Sequence, residues 1–247
     1  MTVLWKELRS VCSVLAAFLC ISSGILRAQA SIDPSLPSAP LPHVAFFTFF
    51  PGYETVKNPG RPVPPLTTRQ KFKIACRKTF SPALPIDALA VSGWDQATNF
   101  GPDYGQEWGG FGKRVAYNAA NFTTKAFFAI GIVPAAFHQD PRYFRLGAGS
   151  TVAKRIRWAL LNQVAALSDR GTLMPNYGKL IGYGASTALS NAYMPARSVS
   201  FSNDMKGYGI KFGASIAIDL VHEFDLARFA HVPGLHGNSM PGARSDY

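Results

Sequence analysis

Residues 113–137 read KRVAYNAANFTTKAFFAIGIVPAAF, and this stretch decides the fold class. Beyond Arg114 its only charge is Lys125. Twenty-five residues are far too many for one strand, and the polar positions recur at helical spacing. Asn118, Asn121 and Lys125 fall on one stripe, while Phe122, Ala126 and Phe127 fall on another. The stretch therefore predicts one long helix, with Pro134 disturbing its last turn because proline has no N–H to donate.

Working outward, the same periodicity continues on both sides. Thr67 or Thr68 can cap a helix that Pro82 ends; on it Phe72, Cys76 and Phe80 recur every four residues, as do Arg69, Lys73 and Arg77 on the neighbouring face. A second helix is expected from Ala83 to Thr98, followed by the glycine-dense turn 101–112. Beyond the long helix, Ser150 or Thr151 opens a fourth that carries Lys154, Arg155 and Arg157 and runs to Leu167. Asn176 opens a fifth that Pro195 closes, and Ser200 or Asn203 opens a sixth reaching Arg228. The segments YGASTAL (183–189) and FGASIAI (212–218) echo each other. Small residues at helical spacing let two backbones approach closely, so these two helices are expected to be neighbours in one bundle.

The chain has 247 residues, 47% hydrophobic and 16% charged, with a net charge of +11 and three cysteines. That balance excludes wholesale disorder and a disulfide scaffold. The first thirty residues have the layout of a secretory signal: Lys6 and Arg9, an uncharged run from Val11 to Leu26, then Ala28-Gln29-Ala30. Cleavage after Ala30 removes three basic residues, one acidic residue and two cysteines, leaving a net charge of +9 and Cys76 alone. Residues 31–66 form an arm; nine of the eighteen prolines lie in 31–65, which favours extended backbone, and FFTFFPGY (46–53) gives that arm apolar rings to strap across a core. Residues 67–230 are expected to form the bundle and 231–247 a flexible tail. The longest uncharged stretch, Leu180–Ala196, holds glycines, serines and an asparagine and falls short of a membrane span, so buried helices are expected rather than spanning ones.

Catalytic signatures fail one by one. Glu107 and Arg114 stand where a phosphate loop ending at Lys113 needs glycine and a hydroxyl. Ser186 and Ser215 each lie in Gly-x-Ser-x-Ala, but helix flanks both, whereas a nucleophile elbow needs a strand before the serine. The run HQDPRYFR (138–145) is the densest cluster of capable side chains. His138 and Asp140, two apart, could share a general-base role; alternatively His138 ends a helix and Asp140 caps the next turn. Asp219, His222 and Glu223 share one helical face, but Leu226 stands where a zinc helix needs its second histidine. Asp169 and Arg170 read as a local ion pair. No cofactor, metal, nucleotide or nucleic acid is expected. The basic residues Arg69, Lys73, Arg77, Arg142, Arg145, Lys154, Arg155 and Arg157 are the candidates for contact with an anionic membrane surface or envelope polymer.

The runs YGQEWGGFGKR (104–114), HQDPRYFRLGAGS (138–150) and LSNAYMP (189–195) resemble an uncharacterised family of exported bacterial proteins, over roughly residues 67–228. The resemblance implies an envelope-targeted, mainly helical protein and carries no activity onto any residue. The expectation is thus an all-α bundle of about six helices with close-packed Gly/Ala/Ser seams behind a proline-rich arm. Its expected role is that of an exported, periplasmic or envelope-associated binding protein. The competing expectation is a hydrolase centred on His138 and Asp140, which a concave pocket joining those residues to Asp219 or His222 would favour.

Overall fold

The computed structural model describes residues 32, 34–35, 55–56 and 63–225. The expected signal segment, most of the arm and the tail lie outside them. Among the described residues the protein is an all-α bundle of six helices with two short strand pairs. The helices are α1 (Thr68–Thr79), α2 (Ala83–Ala97), α3 (Trp108–Ala136), α4 (Val152–Leu161), α5 (Tyr177–Ser190) and α6 (Phe201–Phe224).

Local chemistry sets most of these boundaries. Thr67 and Gln70 form a reciprocal capping box at the start of α1. Thr151, Asn176 and Ser200 accept backbone N–H groups at the starts of α4, α5 and α6. Within α3, residues Phe127–Ile132 form a π-helical segment, and the Val133 N–H reaches back five residues to the Phe128 carbonyl. The bonding pattern changes just ahead of Pro134, which supplies no N–H of its own. Asp225 ends α6 in the left-handed conformation, φ 54°, three residues short of the expected Arg228.

The largest departure from the sequence reading follows α4. The helix stops at Leu161 instead of Leu167, and residues 165–167 form a strand, β3, in an antiparallel pair with β4 (Leu173–Pro175). Asn162 and Gln163 leave the helix to turn their side-chain amides onto Asp219, and Gly171, φ 76°, makes the hairpin's tight turn. The earlier pair is parallel: β1 (Thr55–Val56) lies on β2 (Tyr143–Phe144). Ile32 bridges Val63, and Ile32, Val56 and Val63 pack on Phe144 and Leu167, so the described parts of the arm do lie across the core.

That core is built at one end of the bundle. Trp158, 2% exposed, packs with Tyr143, Leu146, Leu161 and Ala165, and its indole N–H donates to the Phe144 carbonyl at 2.7 Å. The close small-residue seam lies between α5 and the π segment, not between α5 and α6. A Cβ on Gly182 would stand 2.8 Å from the Ala129 Cα, and one on Gly178 would stand 2.6 Å from the Ala129 carbonyl oxygen. The echo segments do adjoin, with the Tyr183 and Phe212 rings 5.2 Å apart. Gly209 and Gly213, however, face open space.

The other end of the molecule is arranged the opposite way, polar at its centre and apolar outside. Between α2 and α3, Asn118 donates to Ser92 and to Asp95, each at 2.9 Å. Arg114, 1% exposed, donates to Gln96 and to the carbonyls of Phe100, Gly101 and Gly105. Tyr193 meets Asn121 and Thr124, and Lys211 donates to Thr187 at 2.7 Å. Outward, by contrast, α2 presents Ile86, Leu89, Ala90, Gly93 and Trp94, and α6 presents Phe201, Met205, Ile210, Ala214 and Ile218. Trp94 is 71% exposed and Trp108, at the start of α3, 88%. Asp87 is the exposed acid of α2, and it feels the charges of Lys78 and Lys125.

Candidate functional site

Where the two ends meet, α3, α5 and α6 line a partly open cavity of about 90 Å³ with the loop 139–143, walled by both apolar and charged side chains. The π segment lines it through Ala129 and Ile130, next to Ala126. An extra residue per turn widens a helix locally, which is why π segments so often border functional cavities. The loop is fixed by Gln139, buried, whose amide donates to Asn176 at 2.8 Å and whose carbonyl oxygen accepts the Gly178 N–H at 2.9 Å. Asp140 and Arg142 are thereby held over the cavity opposite Lys179, Asp219 and His222.

Each carboxylate there is answered by a cation. Asp140, side chain fully buried, accepts from Arg142 Nε and from Nη2, the latter at 2.6 Å, and from the Arg142 backbone N–H. It closes a local turn two residues long and caps no helix, so that part of the sequence expectation is corrected. Asp219 Oδ2 accepts from Lys179 at 2.6 Å, Gln163 at 2.8 Å and Asn162 at 3.0 Å. Burial pulls the Lys179 ammonium below the ordinary lysine value, and the Asp219 charge opposes that pull. One helical turn on, Glu223 is wholly buried outside the cavity. It accepts from the Tyr143 hydroxyl at 2.9 Å, the backbone N–H groups of Leu146 and Gly147, and Arg155 Nε at 2.9 Å. Burial, and then the Glu223 charge, push the Tyr143 phenol above its ordinary value, so it remains a donor.

The histidines separate. His222 lines the cavity and its Nδ1 lies 3.1 Å from Thr55 Oγ1. His138 does not line it: its backbone is left-handed, φ 51°, and its side chain is 86% exposed, 4.0 Å from Asp169. The cavity therefore joins Asp140, Asp219 and His222 and leaves out His138, one of the two residues on which the hydrolase expectation was centred. Asp169 pairs not with Arg170 but with Lys71, at 2.7 Å; Lys71 is 1% exposed and also donates to the Pro134 carbonyl. Among the described residues no three His, Cys, Asp or Glu side chains are grouped as for a metal ion.

The eight basic candidates divide likewise. Arg69, Lys73 and Arg157 are exposed, and Arg77 and Lys154 are half-buried. Arg142, Arg145 and Arg155 turn inward, onto Asp140, Asp225 and Glu223 respectively, and are withdrawn from the surface set. Ser186 Oγ donates to the Tyr183 carbonyl one turn back, as a packing residue does. Sequence reasoning missed Lys71, Lys78 and Lys179. Only Lys125, the lone cation in an apolar run, carried a signal that it faces something polar.

Fold and cavity together define an all-α bundle that is dry at one end and polar-centred at the other, with a small charged chamber at the join. No family model, curated protein or solved structure matches the chain. The roles of its residues rest on their geometry.

Proposed function

We propose that this chain is an exported, envelope-associated binding protein that seats the polar-centred end of its bundle against the hydrocarbon of a membrane. The observation that carries this reading is the inverted arrangement of α2 and α6. Ser92 and Asp95 bond to Asn118 and Asp204 bonds to Asn191, while Ile86, Leu89, Trp94, Phe201 and Ile210 face out, with Asp87 and Lys206 the charged residues exposed on these two helices. In water such a surface is costly, at roughly 25 cal/mol for each Å² of apolar area. Against lipid the cost vanishes, and inward-facing, mutually bonded polar groups are what a hydrocarbon surround demands. Residues Trp108–Ala136 form one 29-residue helix that is, by length and composition, long and apolar enough to cross a membrane, with 22% of its apolar 18-residue stretch buried. Of the eight basic candidates, Arg69, Lys73 and Arg157 are the exposed ones that can meet anionic headgroups, each contributing about 1 kcal/mol close to the surface.

Cell fractionation with an alkaline wash tests the reading. The chain is expected in the membrane pellet after the wash, and a double variant Leu89→Lys, Trp94→Lys is expected in the supernatant. Recovery of the unmodified chain from the soluble fraction would sink the proposal. High salt alone should shift binding to anionic vesicles and leave the alkaline-resistant fraction unchanged.

A further inference from the structure

Helix α4 presents a face that neither the dry core nor the chamber uses. Arg155 and Asn162 turn onto Glu223 and Asp219 of α6, and between them the Trp158 indole turns onto the Phe144 carbonyl. On the outer side Val152, Ile156 and Leu160 recur every four residues, a single stripe on a helix, and all three are exposed, Val152 by 60%. Lys154 and Arg157, three apart, border that stripe on one flank. The helix contains no Asp or Glu, and its third cation, Arg155, is the one the fold consumes. Its contacts place α4 across α6 beside Asp219 and Glu223, just past Ile218, the last exposed large apolar residue of α6. The outer stripe thus begins where the apolar face of α6 ends. At ten residues, about 15 Å, α4 is far too short to cross a bilayer, but an apolar stripe bordered by cations suits the boundary between acyl chains and headgroups. A second copy of the chain, itself carrying a net charge of +11, matches a basic rim poorly, whereas an anionic lipid surface is its complement.

We infer that α4 is an interfacial helix lying in the plane of an anionic lipid surface, with Val152, Ile156 and Leu160 among the upper acyl carbons and Lys154 and Arg157 on the headgroup phosphates. The inference rests on the membrane reading of α2 and α6 for the side from which lipid approaches. It adds a preference for anionic lipid and a helix that stops the bundle from sinking further.

Flotation of the full-length chain with vesicles of phosphatidylcholine, alone or mixed with phosphatidylglycerol, tests this. It is run on the unmodified chain and in a Leu89→Gln, Trp94→Gln background, which weakens the α2 face without adding charge. In that background the chain is expected to float with the mixed vesicles at low salt, to be released at high salt, and to stay unbound with phosphatidylcholine alone. Lys154→Gln and Arg157→Gln should each weaken binding to the mixed vesicles about fivefold. Val152→Glu should weaken it at least as much and leave the fold intact, because a carboxylate is favoured in the first turn of a helix. The inference is overturned if the background chain does not float with the mixed vesicles, or if the charge variants or Val152→Glu float like their parent. A change in the mass of the detergent-solubilised chain on Val152→Glu, with flotation unchanged, would give the face to a second copy and overturn it too. The alkaline wash reads α2 and α6 separately: an unmodified chain that is washed off, yet floats with the mixed vesicles through Val152 and Arg157, would sink the hydrocarbon seat and leave α4 standing.

Discussion

The Glu223 carboxylate accepts from one phenol, two backbone N–H groups and one guanidinium. A carboxylate so surrounded fastens elements together, here α6 to the loop 145–147 and to α4. Removing one partner of a buried ion pair costs about 3–5 kcal/mol, because the other charge stays behind unanswered. Glu223→Gln is accordingly expected to lower the unfolding free energy by about that amount in denaturant titration. Lys179 predicts a pH effect. Its folded-state value lies below the lysine reference of 10.5, so between those two values the unfolded chain binds the extra proton. This site's contribution to stability therefore rises as pH rises through that window and is level below it. Lys179→Gln should remove that rise, seen as a smaller gain in denaturation midpoint between pH 8 and 11 than in the unmodified chain.

At the scale of elements, two glycines make a controlled comparison. Gly182→Ala puts a methyl 2.8 Å from the Ala129 Cα and should destabilise by about 1–3 kcal/mol. Gly213→Ala meets nothing within 4 Å and should stabilise by about 0.5–1 kcal/mol, the helical preference for alanine. Thermal unfolding of the two variants in detergent reads both signs. Gly213 sits in one copy of the echoed motif and Gly182 just before the other, so the motif by itself does not mark which glycine is packed. Helix starts were legible because Thr67, Thr151, Asn176 and Ser200 act on their own neighbours. The end of α4 was not, because Asn162 and Gln163 leave the helix for Asp219, a partner more than fifty residues away. Nor was the cavity: nothing near Lys179 in sequence announces a carboxylate forty residues on.

The whole molecule joins two ends with opposite solvent preference. The α4 and strand end buries Trp158, Phe144 and Leu167 as a water-soluble domain does. The α2 and α6 end buries Ser92, Asn118 and Thr187, and exposes its large apolar side chains. Hydrogen exchange should divide along the same line. Residues 201–214 of α6 contain no buried position, so their amides are expected to exchange fast in dilute aqueous buffer and slowly in lipid vesicles. The strand pair 165–167 with 173–175 should be protected equally in both. Equal protection of 201–214 in the two media would tell against a membrane seat.

The position of α6 in the chain has one more consequence, concerning time. It is the last described helix, yet it supplies Asp219 and Glu223, the carboxylates that answer Lys179 and Arg155. Synthesis proceeds from the N-terminus at about 5–20 residues per second. For as long as residue 223 has not emerged, cations made seconds earlier have no counter-charge, and closing the bundle around them is unfavourable. The bundle is thus held open until α6 has been made, which is the condition a polypeptide must keep if it is to be threaded across a membrane before it folds.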